Sequence, residues 1–338
     1  MAMRLAGWAI WFVIIILISQ IVAFSTVEAR TSSPGLEIVV TFPNLAYDIA
    51  LLLCEGDHLY SLVPQGVDPH DYQLTPEAIS RLEGADVVIS TAHAPFEMEI
   101  KEMRERGELE AVLVEIPEVP GIRLLENPAT GQPNYHMPIY DPGNYKTFMR
   151  YIADVLANLR PGRAEDYLGK ARELAEQVDA LLSETPELSL EAVADLPLTQ
   201  YAVSWLGVRI RFLLMKEHGV PASSAYLMRV EEAVSRGEVK LAVVCDPPRS
   251  SASEHLRRLA DEHGLPVLRI PLPFSEGSIL EKLSRISEQA VKLSHSLPVG
   301  RSTWQERKPD LVPGGAIAVS LLALATYLYL RRSLHPPR

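Results

Sequence analysis

A chain of 338 residues, 47% of them hydrophobic and 22% charged, is long enough for two domains of ordinary size. Its formal net charge of -11 argues against a nucleic-acid-binding protein, which needs a basic face. The same charge is compatible with attracting cations, though only weakly, because most acidic surface is simply solvated.

The first apolar run, 5–24, follows Arg4. It predicts a signal peptide or an uncleaved signal-anchor within residues 1–30, with Val27-Glu28-Ala29 as a small-residue cleavage site. No cysteine lies near its end to carry a lipid. Apolar runs then predict strands over 36–42, 59–63, 86–91 and 111–116. Helices are predicted between them over 46–54, 76–84 and 99–106. Thr75 serves as N-cap of the second, with Pro76 at its first helical position. This alternation builds a mainly parallel sheet with flanking helices, a first lobe spanning 35–141.

Three loops of that lobe carry a histidine. In Pro64-Gln65-Gly66-Val67-Asp68-Pro69-His70-Asp71-Tyr72 the prolines and glycine bend and stiffen the chain after a strand. His70 is thereby held at the carboxyl edge of the sheet, where ligands bind in α/β folds. Ala92-His93-Ala94-Pro95 opens on the same edge after the third strand. Residues 118–132 read as a surface loop, punctuated by Pro and Gly. Asn134-Tyr135-His136-Met137-Pro138-Ile139-Tyr140-Asp141-Pro142 then repeats the first plan, one imidazole in a Pro-bounded turn before a helix. Imidazole is the commonest neutral ligand of zinc and also serves manganese and iron.

Apolar residues at helical spacing, from Phe148, Ile152 and Leu156 to Leu174, Val178 and Leu181, predict one long linking helix over 142–183. Pro161 kinks or breaks it. The acidic stretch 184–197 reads as a boundary, and a second lobe runs over 184–296. There strands are predicted at 198–204, 239–245 and 266–270, and helices at 208–218, 254–263 and 277–294. Residues 297–313 read as a linker. The apolar run 314–330, about 17 residues, is at the short limit for a transmembrane helix. Tyr327 and Tyr329 suit an interfacial belt, and Arg331 and Arg332 place the tail in the cytoplasm, so the body lies outside the cell. Cys54 and Cys245 sit far apart in apolar contexts; a disulfide and two buried thiols are both open, and no cysteine pair has zinc-site spacing.

The loops around His70 and His136 resemble those of the solute-binding proteins of zinc/manganese ABC importers, the cluster A-I family. The resemblance covers 36–293, through these two loops and the order of helices. It implies two α/β lobes joined by one long helix, with divalent metal (zinc or manganese) bound between them as ligand. It also implies no catalysis, a monomer, and an ABC permease in the membrane as partner; the apolar run 314–330, read separately, would tether the body to that membrane. In the family the remaining two ligands come from the second lobe. Counting along this sequence places them near Val208, where no His, Glu or Asp stands, and near Phe274. His93, Asp246 and Glu276 are the candidates to complete the site with His70 and His136. Two other readings stay open. One is a relative with a degenerate site that binds another small ligand or acts as an accessory of the transporter. The other is an extracellular metalloenzyme, which no His-Glu-x-x-His helix supports.

Overall fold

The computed structural model describes residues 35–65, 67, 71–217, 220–248 and 250–296. Four short strands form the first sheet: Glu37–Val40 (β1), His58–Ser61 (β2), Val87–Ser90 (β3) and Val112–Glu115 (β4). All pairings are parallel, in the order β2-β1-β3-β4. Every residue of β3 is buried, as expected for a central parallel strand covered on both faces. Helices Pro43–Ile49 (α1), Pro76–Glu83 (α2) and Pro95–Glu105 (α3) connect the strands. Each starts on proline, whose missing N–H costs nothing at that position. Thr75 caps α2, its Oγ1 accepting from the Ala78 N–H at 3.1 Å. Strand order reverses between β1 and β3, so the loops leaving their carboxyl ends, after Val40 and Ser90, flank a crevice.

The stretch predicted as one long helix is two: Pro142–Leu159 (α4) and Ala164–Glu184 (α5), separated by a short turn at Pro161–Arg163. Proline disfavours a helical residue before it, and Arg160 leaves the helix at φ -129°, ψ 73°. Lys146, early in α4, pairs with Asp179, late in α5. The helices therefore fold back side by side instead of forming a single rod. Their corner is fastened to the first lobe through Asp57, which accepts from Arg160 and from the Tyr167 hydroxyl, both at 2.8 Å.

The second sheet contains Glu191–Ala194 (β5), Arg209–Leu213 (β6), Leu241–Asp246 (β9) and Val267–Pro271 (β10), all parallel, in the order β10-β9-β5-β6. Met215–Glu217 (β7) and Val220–Pro221 (β8) make a small antiparallel pair beside it. Helices Thr199–Ser204 (α6), Ser224–Ser235 (α7), Ser251–His263 (α8) and Ile279–Ser296 (α9) complete the lobe. Two expectations are corrected here. Residues 198–204 hold a helix where a strand was expected, and 208–218 hold strands where a helix was expected. The true strand is β5, inside the stretch read as a boundary. Arg209, Ile210, Arg211 and Phe212 alternate outward and inward at the strand period of two, which the Gly219 stop signal obscured.

Cys54 and Cys245 are both free thiols. Among the described residues no helix is long and apolar enough to cross a membrane. The predicted N-terminal segment and the 314–330 helix both lie outside the described residues.

A buried polar contact joins the lobes. Asp48, on α1, is 1% exposed. Its Oδ1 accepts from the Tyr145 hydroxyl and from the Ile279 N–H at the start of α9, each at 2.8 Å. Lys282, also on α9 and equally buried, donates to the carbonyls of Pro273, Ser275 and Gly277. Burial pushes the Asp48 carboxyl up to about 7, against the Ile279 and Tyr145 hydrogen bonds and the Lys282 charge. Burial likewise brings the Lys282 ammonium down to about 8, against the charges of Asp48 and Glu281.

The folded Asp48 carboxyl therefore holds its proton more tightly than the unfolded one. Its contribution to stability is complete below the ordinary value of 3.8 and is lost as pH rises through about 7. Across that window stability falls by up to about 1.4 kcal/mol per pH unit from this group. Asp48→Asn keeps an acceptor for Tyr145 and Ile279 and removes the titration. Urea unfolding from pH 4 to 7 is expected to show a flatter decline in the variant than in the parent; equal slopes would rule this out.

Candidate metal centre

The loop after β3 brings His93 to the carboxyl edge. A single carboxylate shapes it. Glu97, on the first turn of α3 and 1% exposed, accepts five hydrogen bonds. Its Oε1 takes the Ser90 hydroxyl at 2.9 Å and the Thr91 N–H at 2.7 Å. Its Oε2 takes the Thr91 hydroxyl at 2.6 Å and the N–H groups of His93 and Ala94, each at 2.9 Å. The last contact is the reach of an N3 glutamate back to the N-cap N–H. Ala92 is held at φ +54°, in the left-handed region that non-glycine residues seldom adopt. That inversion turns the chain so that His93 leaves the strand and stands in the crevice.

His136 comes from the long segment after β4. Met137 is also left-handed, at φ +54°, and a short turn over Pro138–Tyr140 leads to α4. Asp141 caps that helix, its Oδ1 accepting the Gly143 and Asn144 N–H groups at 2.9 and 3.1 Å. The rings of His93 and His136 meet edge to face, with centroids 4.5 Å apart and planes at 62°. Both residues are half-buried. The Asn134 Oδ1 lies 3.0 Å from the His136 Nδ1 and 3.0 Å from its backbone N–H.

An aromatic cluster stands at the same edge. Phe42, just after β1, lies 5.9 Å from Phe96 and 5.9 Å from Phe274 between ring centroids. Tyr72 meets Phe96 edge-on at 5.0 Å. Phe274 belongs to the second lobe, so this stack also spans the two lobes.

The other candidates are placed differently. His70 lies outside the described residues. Asp246, at the end of β9, and Glu276, before α9, are both exposed. Among the described residues no group of three or more His, Cys, Asp or Glu side chains is assembled closely enough to hold an ion. Neither carboxylate is thus gathered with the two imidazoles into such a group. Val208 sits just before β6, at the amino edge of the second sheet, the edge away from ligand-binding loops. The loop that leaves the carboxyl edge at the β5/β9 reversal begins instead with Asp195.

Asp195 is fully buried, and burial raises its pKa against the hydrogen bonds of Ser253, Cys245 and Leu196. It accepts from the Leu196 N–H at 2.8 Å, the Cys245 N–H at 2.9 Å and the Ser253 hydroxyl at 2.6 Å. Its carboxylate therefore ties β5 to β9 and α8. Glu97, Asn134 and Asp195 received no role from sequence reasoning. Only Glu97 had a signal, the Pro95-Phe96-Glu97 helix start with glutamate at the third position.

Residues 38–278 match the family model described as zinc-uptake complex component A, periplasmic. The chain belongs to this family. A relative from Treponema pallidum (strain Nichols), described as a "Putative metal-binding protein", is 25% identical over 183 residues. That match covers 50% of this chain and 57% of the relative's length. Among solved structures, the solute-binding protein FpvC of Pseudomonas aeruginosa in complex with Mn2+ superposes with a TM-score of 0.64 at 20% identity, covering 78% of this chain and 100% of that one. ZnuA gives 0.60 at 19% identity, covering 77% and 98%. The laminin-binding adhesin Lmb of Streptococcus agalactiae, as a mutant, gives 0.63 at 16% identity, covering 77% and 100%. At these identities the structural likenesses speak for the fold alone. The matching family is that of a periplasmic component of a zinc-uptake complex.

Proposed function

We propose that this member of the periplasmic zinc-uptake family captures a divalent transition metal outside the cytoplasm and passes it to an ABC permease. The observation that carries the reading is the meeting of the His93 and His136 imidazoles in the crevice at the carboxyl edge of the first sheet. Two imidazoles favour cations such as zinc and nickel over calcium or magnesium, and added carboxylates would suit manganese. Structural neighbours include FpvC with Mn2+ and with Ni2+ and a zinc-bound ZnuA variant, which supports the same class of cargo. His70 is assigned as a further ligand from its loop, with Asp246 or Glu276 supplying a carboxylate after a shift of the second lobe. The apolar segment 314–330 tethers the body to the membrane, outer face.

Equilibrium dialysis of the purified full chain against zinc or manganese, followed by elemental analysis, tests this. One metal per chain is expected. His136→Ala and His93→Ala should each weaken binding by on the order of 100-fold, more than the loss of an outer-shell partner. Stoichiometric binding unchanged in both variants would overturn the site. A folded parent chain that takes up no metal would instead favour the degenerate-site reading, to which the aromatic Phe274, packed on Phe42, already lends support.

A further inference from the structure

We infer that Asn134 is a positioning residue: it holds the His136 ring with Nδ1 protonated and Nε2 presented as ligand, and it takes this orientation from the second lobe. The inference rests on the metal-receptor reading, but its first half concerns the metal-free protein. The Asn134 amide cannot be turned the other way round. Its Nδ2 donates to the Pro197 carbonyl and to the Gln200 Oε1, each at 2.9 Å. A carbonyl only accepts, so nitrogen must face it. Its Oδ1 faces the His136 backbone N–H, which only donates. The same oxygen lies 3.0 Å from the His136 Nδ1. An amide oxygen cannot donate, so Nδ1 carries the proton and the lone pair is left on Nε2.

The orientation is passed on from further away. Gln200 points its oxygen at Asn134 because its Nε2 donates to the Glu126 carbonyl at 2.8 Å. The Tyr201 hydroxyl donates to the Asn134 carbonyl at 2.5 Å and accepts the Leu125 N–H at 2.9 Å. Gln200 and Tyr201 both belong to α6 of the second lobe. Asn134 is 1% exposed and Tyr201 fully buried, so water does not compete for these bonds. Sliding α6 relative to the first lobe would pull Asn134 and rotate the ligand. One ligand of the site thus reports the position of the opposite lobe, which is what a receptor needs if lobe movement is to release its cargo.

The test begins with long-range 15N–1H correlation spectra of the metal-free full chain with labelled histidine, at pH 8.5 where imidazoles are neutral. His136, assigned by its loss in His136→Ala, should show the Nδ1–H pattern. Asn134→Ala should convert it to the Nε2–H form that imidazole favours in water, and weaken metal binding by on the order of 10- to 100-fold. Asn134→Asp keeps an acceptor for Nδ1 but sets an oxygen against the Pro197 carbonyl and the Gln200 Oε1, so it should keep the Nδ1–H pattern while lowering stability. Gln200→Ala, at a half-buried site that tolerates truncation, should give a mixture of forms and a smaller loss of affinity. An Nε2–H pattern in the parent chain overturns the inference. So does an Asn134→Ala variant, folded by circular dichroism, with unchanged tautomer and affinity. A parent chain with the Nδ1–H pattern that binds no metal supports the tautomer assignment and sinks the receptor reading, so the two failures are distinguishable.

Discussion

Glu97→Ala is expected to lower stability by on the order of 3–5 kcal/mol and metal affinity by at least about tenfold. The glutamate touches no metal in this arrangement; it acts by holding a loop. Truncation leaves the N–H groups of Thr91, His93 and Ala94 without their acceptor, and the first and last of these residues are buried. Each orphaned buried donor costs about 1–3 kcal/mol. The two hydroxyls of Ser90 and Thr91 also lose their partner but can rotate to others, so they add less. The left-handed Ala92 is kept in place by the same bonds. Once released, it should relax and carry His93 away from His136. Glu97→Gln preserves the size but turns an NH2 group toward donors, so it should fall between Ala and the parent. Urea unfolding and metal dialysis on the same preparations check both effects. A stable Glu97→Ala chain with full affinity would show that the loop is held by something else.

Asp57→Ala is expected to cost about 3–5 kcal/mol, for a different reason. Asp57 and Arg160 form a buried ion pair at 2.8 Å, with side chains 0% and 6% exposed. The carboxylate also accepts from Leu36 N–H, Cys54 N–H and the Tyr167 hydroxyl. Removing it leaves a guanidinium buried without its counter-charge, although Arg160 retains the Glu55 carbonyl at 3.1 Å. Such a pair adds little net stability when intact, but breaking it from one side is expensive. The α4–α5 corner should detach from the first lobe. Arg150→Ala breaks the exposed Arg150–Asp154 pair, with side chains 55% and 47% exposed, and serves as control; a loss of at most about 1 kcal/mol is expected there. Equal losses for the two variants would mean that the corner is held by packing alone.

The first lobe was readable from sequence because its signals are local and agree. Val87-Val88-Ile89 is an unbroken β-branched run, and Pro95 and Pro76 mark helix starts. Given a strand ending at Ser90, the carboxyl-edge position of His93 follows. The second lobe misled for an equally physical reason. Glu191–Ala194 is only four residues long, flanked by acidic and Pro-containing stretches that look like a linker. Thr199–Ser204 is a six-residue helix whose Tyr-Ala-Val core has the composition of a strand. Both elements owe their form to what they pack against, not to propensity, and misplacing them put the expected third ligand at Val208, on the wrong edge of the sheet.

By itself the amino-acid order determined the α/β class, the carboxyl-edge loop that carries His93, and the break at Pro161, because these depend on neighbours along the chain. Only the tertiary structure decided that His93 lies against His136, that Glu97 and Asn134 hydrogen-bond the two histidine residues, and that the helical link doubles back. Those outcomes depend on strand order and on hydrogen bonds between residues distant in sequence, and no local pattern encodes which carbonyl a buried amide will face.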